Sequence, residues 1–340
     1  MTAERADVGY RLPAIPYLRL RATFRAAFEN GTEARLPGFK GSMLRGAFGH
    51  ALRQAVCAMG PRQECESCSL RGPCVYTRLF ETVINGDPPP FLRGLSTAPR
   101  PYVFEPRTEA RDFRAGDALE TDLLLFGRAA ELQPYALLAL ERMGEGGLGR
   151  GRYSFTLERV DYLEEGGTWR TGFAAGASDA AGEAVRWPTK VPAILPSGED
   201  PDDSTERLTL RFLTPTRVRL GGRLRDHLPF RPLVFLMLRR ALEIAHFHVP
   251  GTEPDWDFRP FLDRADDVRV TRSDLRWQDW SRYSNRQGRK HEMGGFVGEI
   301  GLEGPLAPFL PLLRTAEVLH VGKGATFGLG KVEVMPPQPG

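Results

Sequence analysis

Residues 17 to 28, YLRLRATFRAAF, alternate apolar with polar positions, and Leu18, Leu20, Ala22 and Phe24 on one side predict a half-buried strand. The period changes at residues 42 to 56, SMLRGAFGHALRQAV. There Leu44, Ala47, Phe48, Ala51 and Leu52 fall on one face of a helix that Ser42 can cap, with Arg45, Gly49 and Arg53 on the other. TDLLLFG, 121 to 127, reads as a strand, and PYALLALERMG, 134 to 144, as a helix ended by glycine. GGLGRGRYSFTLERVDYL, 146 to 163, runs from a glycine turn into a strand.

The order then repeats. A strand pattern opens at Arg207, and an apolar helix follows from about Pro229 to His248. FVGEIGLEG reads as a strand and PLAPFLPLLRTAEVLHVG as a helix or a helix plus short strand, before KGATFGLGKVEVM delivers a glycine turn into a last strand. The matching ends GLGRGRYSFTLERV and FGLGKVEV suggest an internal duplication. Few helices with strands in hairpin-like runs fit an α+β fold of two tandem ferredoxin-like (RRM-like) units with a small cysteine-rich insertion, rather than one doubly wound sheet. The expected boundaries are 1–163 for the first unit, with its cysteines at 57–74, and 206–340 for the second. The stretch 164–205, rich in Gly, Ala, Ser, Asp and Pro, is expected to be a linker or insertion.

Composition changes this picture little. With 340 residues, 41% of them hydrophobic and 26% charged, the chain is long enough for two folded units. A net charge of +3 does not by itself indicate a nucleic-acid partner. No run is apolar and long enough for a membrane helix and the start lacks a signal-peptide core, so a cytoplasmic protein without a membrane partner is expected. Local distribution says more: Arg276, Arg282 and Arg286 interleave with Trp277, Trp280 and Tyr283, a mixture suited to stacking bases and holding phosphates, or else a partly buried strand edge with solvated arginines.

The most specific motif is HVGKGATFGLGK, residues 320 to 331. A helix precedes it and a strand follows, the reverse of a Walker or dinucleotide-binding loop. Gly322, Gly324, Gly328 and Gly330 would let backbone N–H groups approach phosphates, with Lys323 and Lys331 supplying charge; a tight packing turn explains the same glycines. The only cysteines, Cys57, Cys65, Cys68 and Cys74, lie within eighteen residues. That clustering suits a closed structural zinc site without catalytic work, with an iron–sulfur cluster or plain thiols as alternatives.

A glycine loop before the last strand of a duplicated ferredoxin-like chain resembles the repeat-associated mysterious protein (RAMP) superfamily of CRISPR systems. RYSNRQGRKHEMGGFVGEI, 282 to 300, resembles a stretch of its repeat-processing endoribonucleases, and FLTPTRVR, 212 to 219, their second-half opening strand. GSMLRGAFGHALR and the cysteine segment ending in YTRLFE resemble a subgroup with a four-cysteine insertion. The resemblance implies an enzyme that needs no metal or other cofactor for catalysis. A ribose 2′-hydroxyl attacks the adjacent phosphate of CRISPR repeat RNA, leaves a cyclic phosphate, and turns precursor transcripts into guide RNAs.

Such chemistry needs a group that exchanges protons near neutral pH, as histidine does, and cations for the phosphorane. The resemblance places a catalytic histidine on the first helix, where His50 sits. Helical spacing puts Gly46, Gly49, His50 and Arg53 on one side, an open surface for RNA. Lys40 and Arg45 are the candidate partners for phosphate charge. Arg53, Arg282, Arg286, Lys290 and the residues of the glycine loop are the candidate RNA contacts. Of the other histidines, His291 is the alternative catalyst in its basic stretch, His246 and His248 close a helix, and His227 and His320 carry no distinguishing signal. The competing functions are a non-enzymatic RNA-holding subunit of a CRISPR effector, whose other subunits would be partners, and a zinc-stabilised adaptor without an RNA role.

Overall fold

The computed structural model describes residues 10–29, 31–60, 63–84, 92, 95, 97–176, 193–194, 206–220, 223–224, 229–279, 281–284 and 289–336. In the N-terminal half, strand β1 (Ile15–Ala26) is followed by helix α1 (Gly41–Val56), strands β2 (Tyr102–Pro106) and β3 (Ala118–Phe126), helix α2 (Gln133–Glu145) and strands β4 (Phe155–Leu163) and β5 (Trp169–Ala174). The strands lie in the antiparallel order β2-β3-β1-β4-β5. In the C-terminal half, β6 (Arg207–Thr216) leads to α3 (Phe230–His248), a short α4 (Arg259–Arg264), β7 (Arg269–Gln278), β8 (Gly295–Glu303), α5 (Leu310–Leu319) and β9 (Val332–Met335). These strands lie in the order β7-β8-β6-β9, again antiparallel. In each half the first strand lies between the third and the fourth, so both carry the ferredoxin-like arrangement, β5 being an extra edge on the first.

The alternation along β1 decides which face is covered. Leu18, Leu20, Ala22 and Phe24 are fully buried and join Leu44, Phe48 and Leu52 of α1 and Ala136, Ala139 and Leu140 of α2 in one core. A second core gathers α3 and α5 against β6 and β8, and it takes in Leu12, Ile15, Val103, Leu124 and Phe126 from the N-terminal half. The two halves are therefore joined by continuous apolar packing, a non-directional attraction that leaves their register to polar contacts.

Several sequence expectations shift. Helix α1 begins at Gly41 with Lys40 as its cap position and no side-chain cap, so Ser42 lies inside the first turn. The glycine turn leading into a strand over 146–163 is present as read: Leu148 and Tyr153 close the turn and the strand runs from Phe155. Trp169–Ala174, inside the stretch expected to be a linker, pairs with β4. Of the rest of that stretch, Ala193–Ile194 pairs with the start of β1, and 177–192 and 195–205 lie outside the described residues. Among the described residues no helix is long and apolar enough to cross a membrane.

Candidate active site

Helix α1 presents His50 to solvent, while Leu44, Phe48, Ala51 and Leu52 hold its opposite side in the core. The glycines beside His50 differ. A Cβ added at Gly46 would meet nothing within 4 Å, whereas one at Gly49 would stand 2.1 Å from the ring of Phe80. Gly46 thus leaves open surface next to His50, and Gly49 is a packing glycine that admits the π-helical turn Thr77–Glu81.

The start of α1 abuts the glycine loop of the other half. A Cβ at Gly41 would sit 1.7 Å from the carbonyl oxygen of Phe327, and one at Gly328 2.4 Å from that of Phe104 in β2. Within the loop, Gly322, Gly324, Gly328 and Gly330 all have positive φ, between 73° and 89°. Gly330 leaves no space for a side chain either, since its Cβ would lie 1.8 Å from the oxygen of Val321. Glycine is required here for backbone conformation and close approach together. The loop's backbone donors are largely committed: Lys323 N–H donates to Arg217 (3.1 Å), Phe327 N–H to Gly324 (2.9 Å) and Gly330 N–H to Pro215 (3.2 Å). The Lys323 side chain is exposed.

The proposed phosphate partners of His50 are placed differently from one another. Lys40 is fully buried; its Nζ lies 3.5 Å from the carbonyl oxygens of Gly38 and Glu109 and 5.8 Å from the centre of the Phe113 ring. Burial first, and then the charge of Arg111, push its ammonium pKa down. Arg45 is half-buried, its guanidinium 4.2 Å from the centre of the Phe80 ring and 5.2 Å from that of Phe327, so it braces the junction of α1 with the glycine loop. Arg53, expected to meet RNA, donates through Nη2 to the carbonyl of Gln63 (2.5 Å) and lies over Tyr76, which commits it to the cysteine segment.

A basic cluster that the sequence reading did not single out lies on the sheet face opposite the helices. Arg19 and Arg21 occupy the polar positions of β1, and both donate through Nε to Asp122 of β3 at 2.9 Å. Arg107 Nη1 joins the same carboxylate at 3.3 Å. Asp122 is fully buried and three arginines share its one carboxylate, while Arg19 also reaches Glu105 of β2. The alternation YLRLR contained this signal, in its polar rather than its apolar positions. Next to this cluster a cavity of about 210 Å³ opens between the halves, lined by Phe39, Arg107, Thr214 and Lys331 among others.

The basic stretch of the C-terminal half forms a hairpin in which Ser281–Ser284 pairs with Arg289–Glu292, setting Arg282 opposite His291 and Tyr283 opposite Lys290. Arg286, Trp280 and His227 lie outside the described residues. Trp277 is 43% exposed near the end of β7, its Nε1 donating to Asp279 (2.6 Å). His248 is buried against Pro99 of the other half, and His320 is buried beside Glu105.

The zinc expectation is not supported. Among the described residues no three or more His, Cys, Asp or Glu side chains are gathered as a metal-binding group. All four thiols are free and half-buried; Cys65 and Cys74 pack against the N-terminal core, and Cys57 Sγ faces the Gly60 carbonyl at 3.6 Å.

Comparison with known proteins finds family models that match parts of this chain. Residues 210–332 match the family described as CRISPR-associated endoribonuclease Cas6, and residues 15–183 match one described as an N-terminal domain. Among solved structures, a Cas6 product complex is similar over 94% of this chain and 100% of that one, at 18% identity and a TM-score of 0.54. Cas6 of Thermus thermophilus is similar over 95% of this chain and 100% of that one, at 16% identity and a TM-score of 0.50. A chain of a partial Cas6-RT-Cas1–Cas2 complex is similar over 96% of this chain and 47% of that one, at 13% identity and a TM-score of 0.54. At these identities the structural likeness is one of fold. No curated protein matches the chain by sequence.

Proposed function

From a chain of the Cas6 type, whose residues 210–332 match the CRISPR-associated endoribonuclease family, we infer an enzyme that binds CRISPR repeat RNA and cuts precursor transcripts into guide RNAs. That family match is the observation that carries the reading. It falls on a half whose strand order repeats that of the first, and the similar product complex has the same architecture over nearly all of both chains.

His50 is the proton-transfer group in this reading. The ribose 2′-hydroxyl attacks the neighbouring phosphorus and gives up its proton; the P–O5′ bond breaks; the leaving oxygen takes a proton and becomes a 5′-hydroxyl. The other product ends in a 2′,3′-cyclic phosphate, and no water is consumed. An imidazole held at the RNA can take the first proton or supply the second. Its support is the solvent-facing position of His50 beside the open surface at Gly46, on the helix whose first residue touches the glycine loop. Charge on the phosphorane falls to cations that reach the surface: Lys323 and Arg107 are exposed and are better candidates than the buried Lys40. Arg45 acts by bracing the loop. Other CRISPR proteins are partners of the same product, since a cut guide RNA must be handed to an effector.

Incubating the protein and its His50→Ala variant with repeat RNA in EDTA tests this. Cleavage at one site to a cyclic-phosphate end, lost in the variant, is the expected result. Cleavage that survives in the variant removes His50 from the reaction. Tight binding without cleavage by the unaltered protein favours an RNA-holding subunit instead.

A further inference from the structure

The glycine loop is gripped at both of its ends by one side chain from the other half. Glu105 stands on β2, is 4% exposed, and has each carboxylate oxygen engaged. His320, the residue that opens the loop, brings Nε2 to 2.9 Å from Oε1; Lys331, the residue that closes it, brings Nζ to 2.7 Å from Oε2. Arg19 of β1 donates to Oε2 as well, at 2.5 Å, and links the group to Asp122 of β3. The same strand receives the loop directly, through the approach of Gly328 to the Phe104 carbonyl.

His320 is held unusually for a residue with a side chain. Its φ is +63°, a left-handed conformation that costs a non-glycine residue energy, and its ring is buried. Its Nδ1 lies 3.0 Å from the Leu329 carbonyl, so both ring nitrogens face oxygen atoms. A carbonyl can only accept. Burial would raise the Glu105 pKa, but His320, Arg19 and Lys331 outweigh it and hold the carboxyl well below its usual range, so this group only accepts too. An imidazole with two N–H donors satisfies both neighbours, whereas a neutral ring turns a lone pair toward one of them.

We propose that Glu105 is a positioning residue which, through a doubly protonated His320 at one end and Lys331 at the other, sets the glycine loop against α1. It thereby fixes RNA held at the loop relative to His50. The proposal rests on the ribonuclease reading for its functional half only. The charged groups facing the clasp are Arg19 from β1, Asp122 from β3 through Arg19, and Lys331 from the end of the loop; Tyr17 of β1 also feels the Glu105 charge.

The first measurement is the imidazole ¹⁵N spectrum of the unaltered full chain at neutral pH, which does not depend on how any variant folds. Two protonated nitrogens at His320 are expected; a bare nitrogen there overturns the proposal. Glu105→Gln, His320→Gln and the double variant then test the coupling. Single-turnover cleavage at saturating protein should fall tenfold or more in each single variant and no further in the double one. A rate within twofold of the original in Glu105→Gln overturns the positioning role. Should the unaltered protein cut no repeat RNA, the ribonuclease reading fails by itself. The clasp is then judged on hydrogen exchange of the Gly322 to Gly330 amides, where tenfold faster exchange in Glu105→Gln supports it and unchanged exchange refutes it.

Discussion

The Cα of Gly41 lies so close under the carbonyl oxygen of Phe327 that a methyl group there would come within 1.7 Å of it. Two residues remote in sequence thus set the distance between the helix that carries His50 and the loop of the other half. Gly41→Ala should force the two apart and cost about 1–3 kcal/mol, as overpacking does. Gly46→Ala, five residues along on open surface, should instead stabilise the protein by about 0.5–1 kcal/mol through better helix propensity. Urea unfolding of both variants checks the pair, and equal shifts in one direction would contradict the contact.

Removing the carboxylate that three arginines share should be expensive. Asp122→Asn leaves Arg19, Arg21 and Arg107 facing one another around a neutral amide. Because those arginines remain partly hydrated, with 20–40% of their side chains exposed, we expect a loss of about 2 kcal/mol. That is below the 3–5 kcal/mol typical of breaking a fully buried pair. Thermal and urea denaturation measure it.

His248 gives the stability a pH dependence. Burial pushes its imidazole down to about 4, despite the bond from Nε2 to the Pro99 carbonyl. An unfolded histidine titrates near 6.5, so between these values the unfolded chain binds the extra proton. Stability from this group is therefore complete above about pH 6.5 and is lost as pH falls toward 4, by at most on the order of 3 kcal/mol. In His248→Gln that share of the slope should vanish. The difference between the two proteins, measured at pH 7 and pH 5, isolates it from carboxylates that titrate lower.

Arg53 and Lys323 should separate stability from affinity. Arg53→Ala loses the bond to Gln63 and the packing over Tyr76, so it should loosen the cysteine segment while leaving the salt dependence of RNA binding unchanged. Lys323→Ala, at an exposed position, should leave stability within about 0.5 kcal/mol. It should also reduce the slope of log affinity against log salt by about 0.7, one phosphate contact on a single strand. Titrations at several salt concentrations distinguish the two.

The sequence by itself determined the parts whose signal is local. A period of two in YLRLRATF fixed β1 and its buried face; a period near 3.6 fixed α1 and put His50 on the side away from the core; the glycines of 322–330 announced a turn that side chains cannot enter. The repeated order of such elements was enough for two ferredoxin-like units. Tertiary structure decided what each polar group does, because that depends on neighbours far along the chain. Glu105 and His320, 215 positions apart, have no mutual signal in sequence, yet they share a buried hydrogen bond. Lys40 and Arg53 look like available cations until carbonyls of Gly38, Glu109 and Gln63 are found around them. The cysteines look like a metal set by spacing, but spacing fixes only the reach of the chain, whereas a metal site needs side chains turned toward one point. Periodicity reports burial, which is a property of single positions; partnership is a property of pairs, and only the folded chain supplies the pairs.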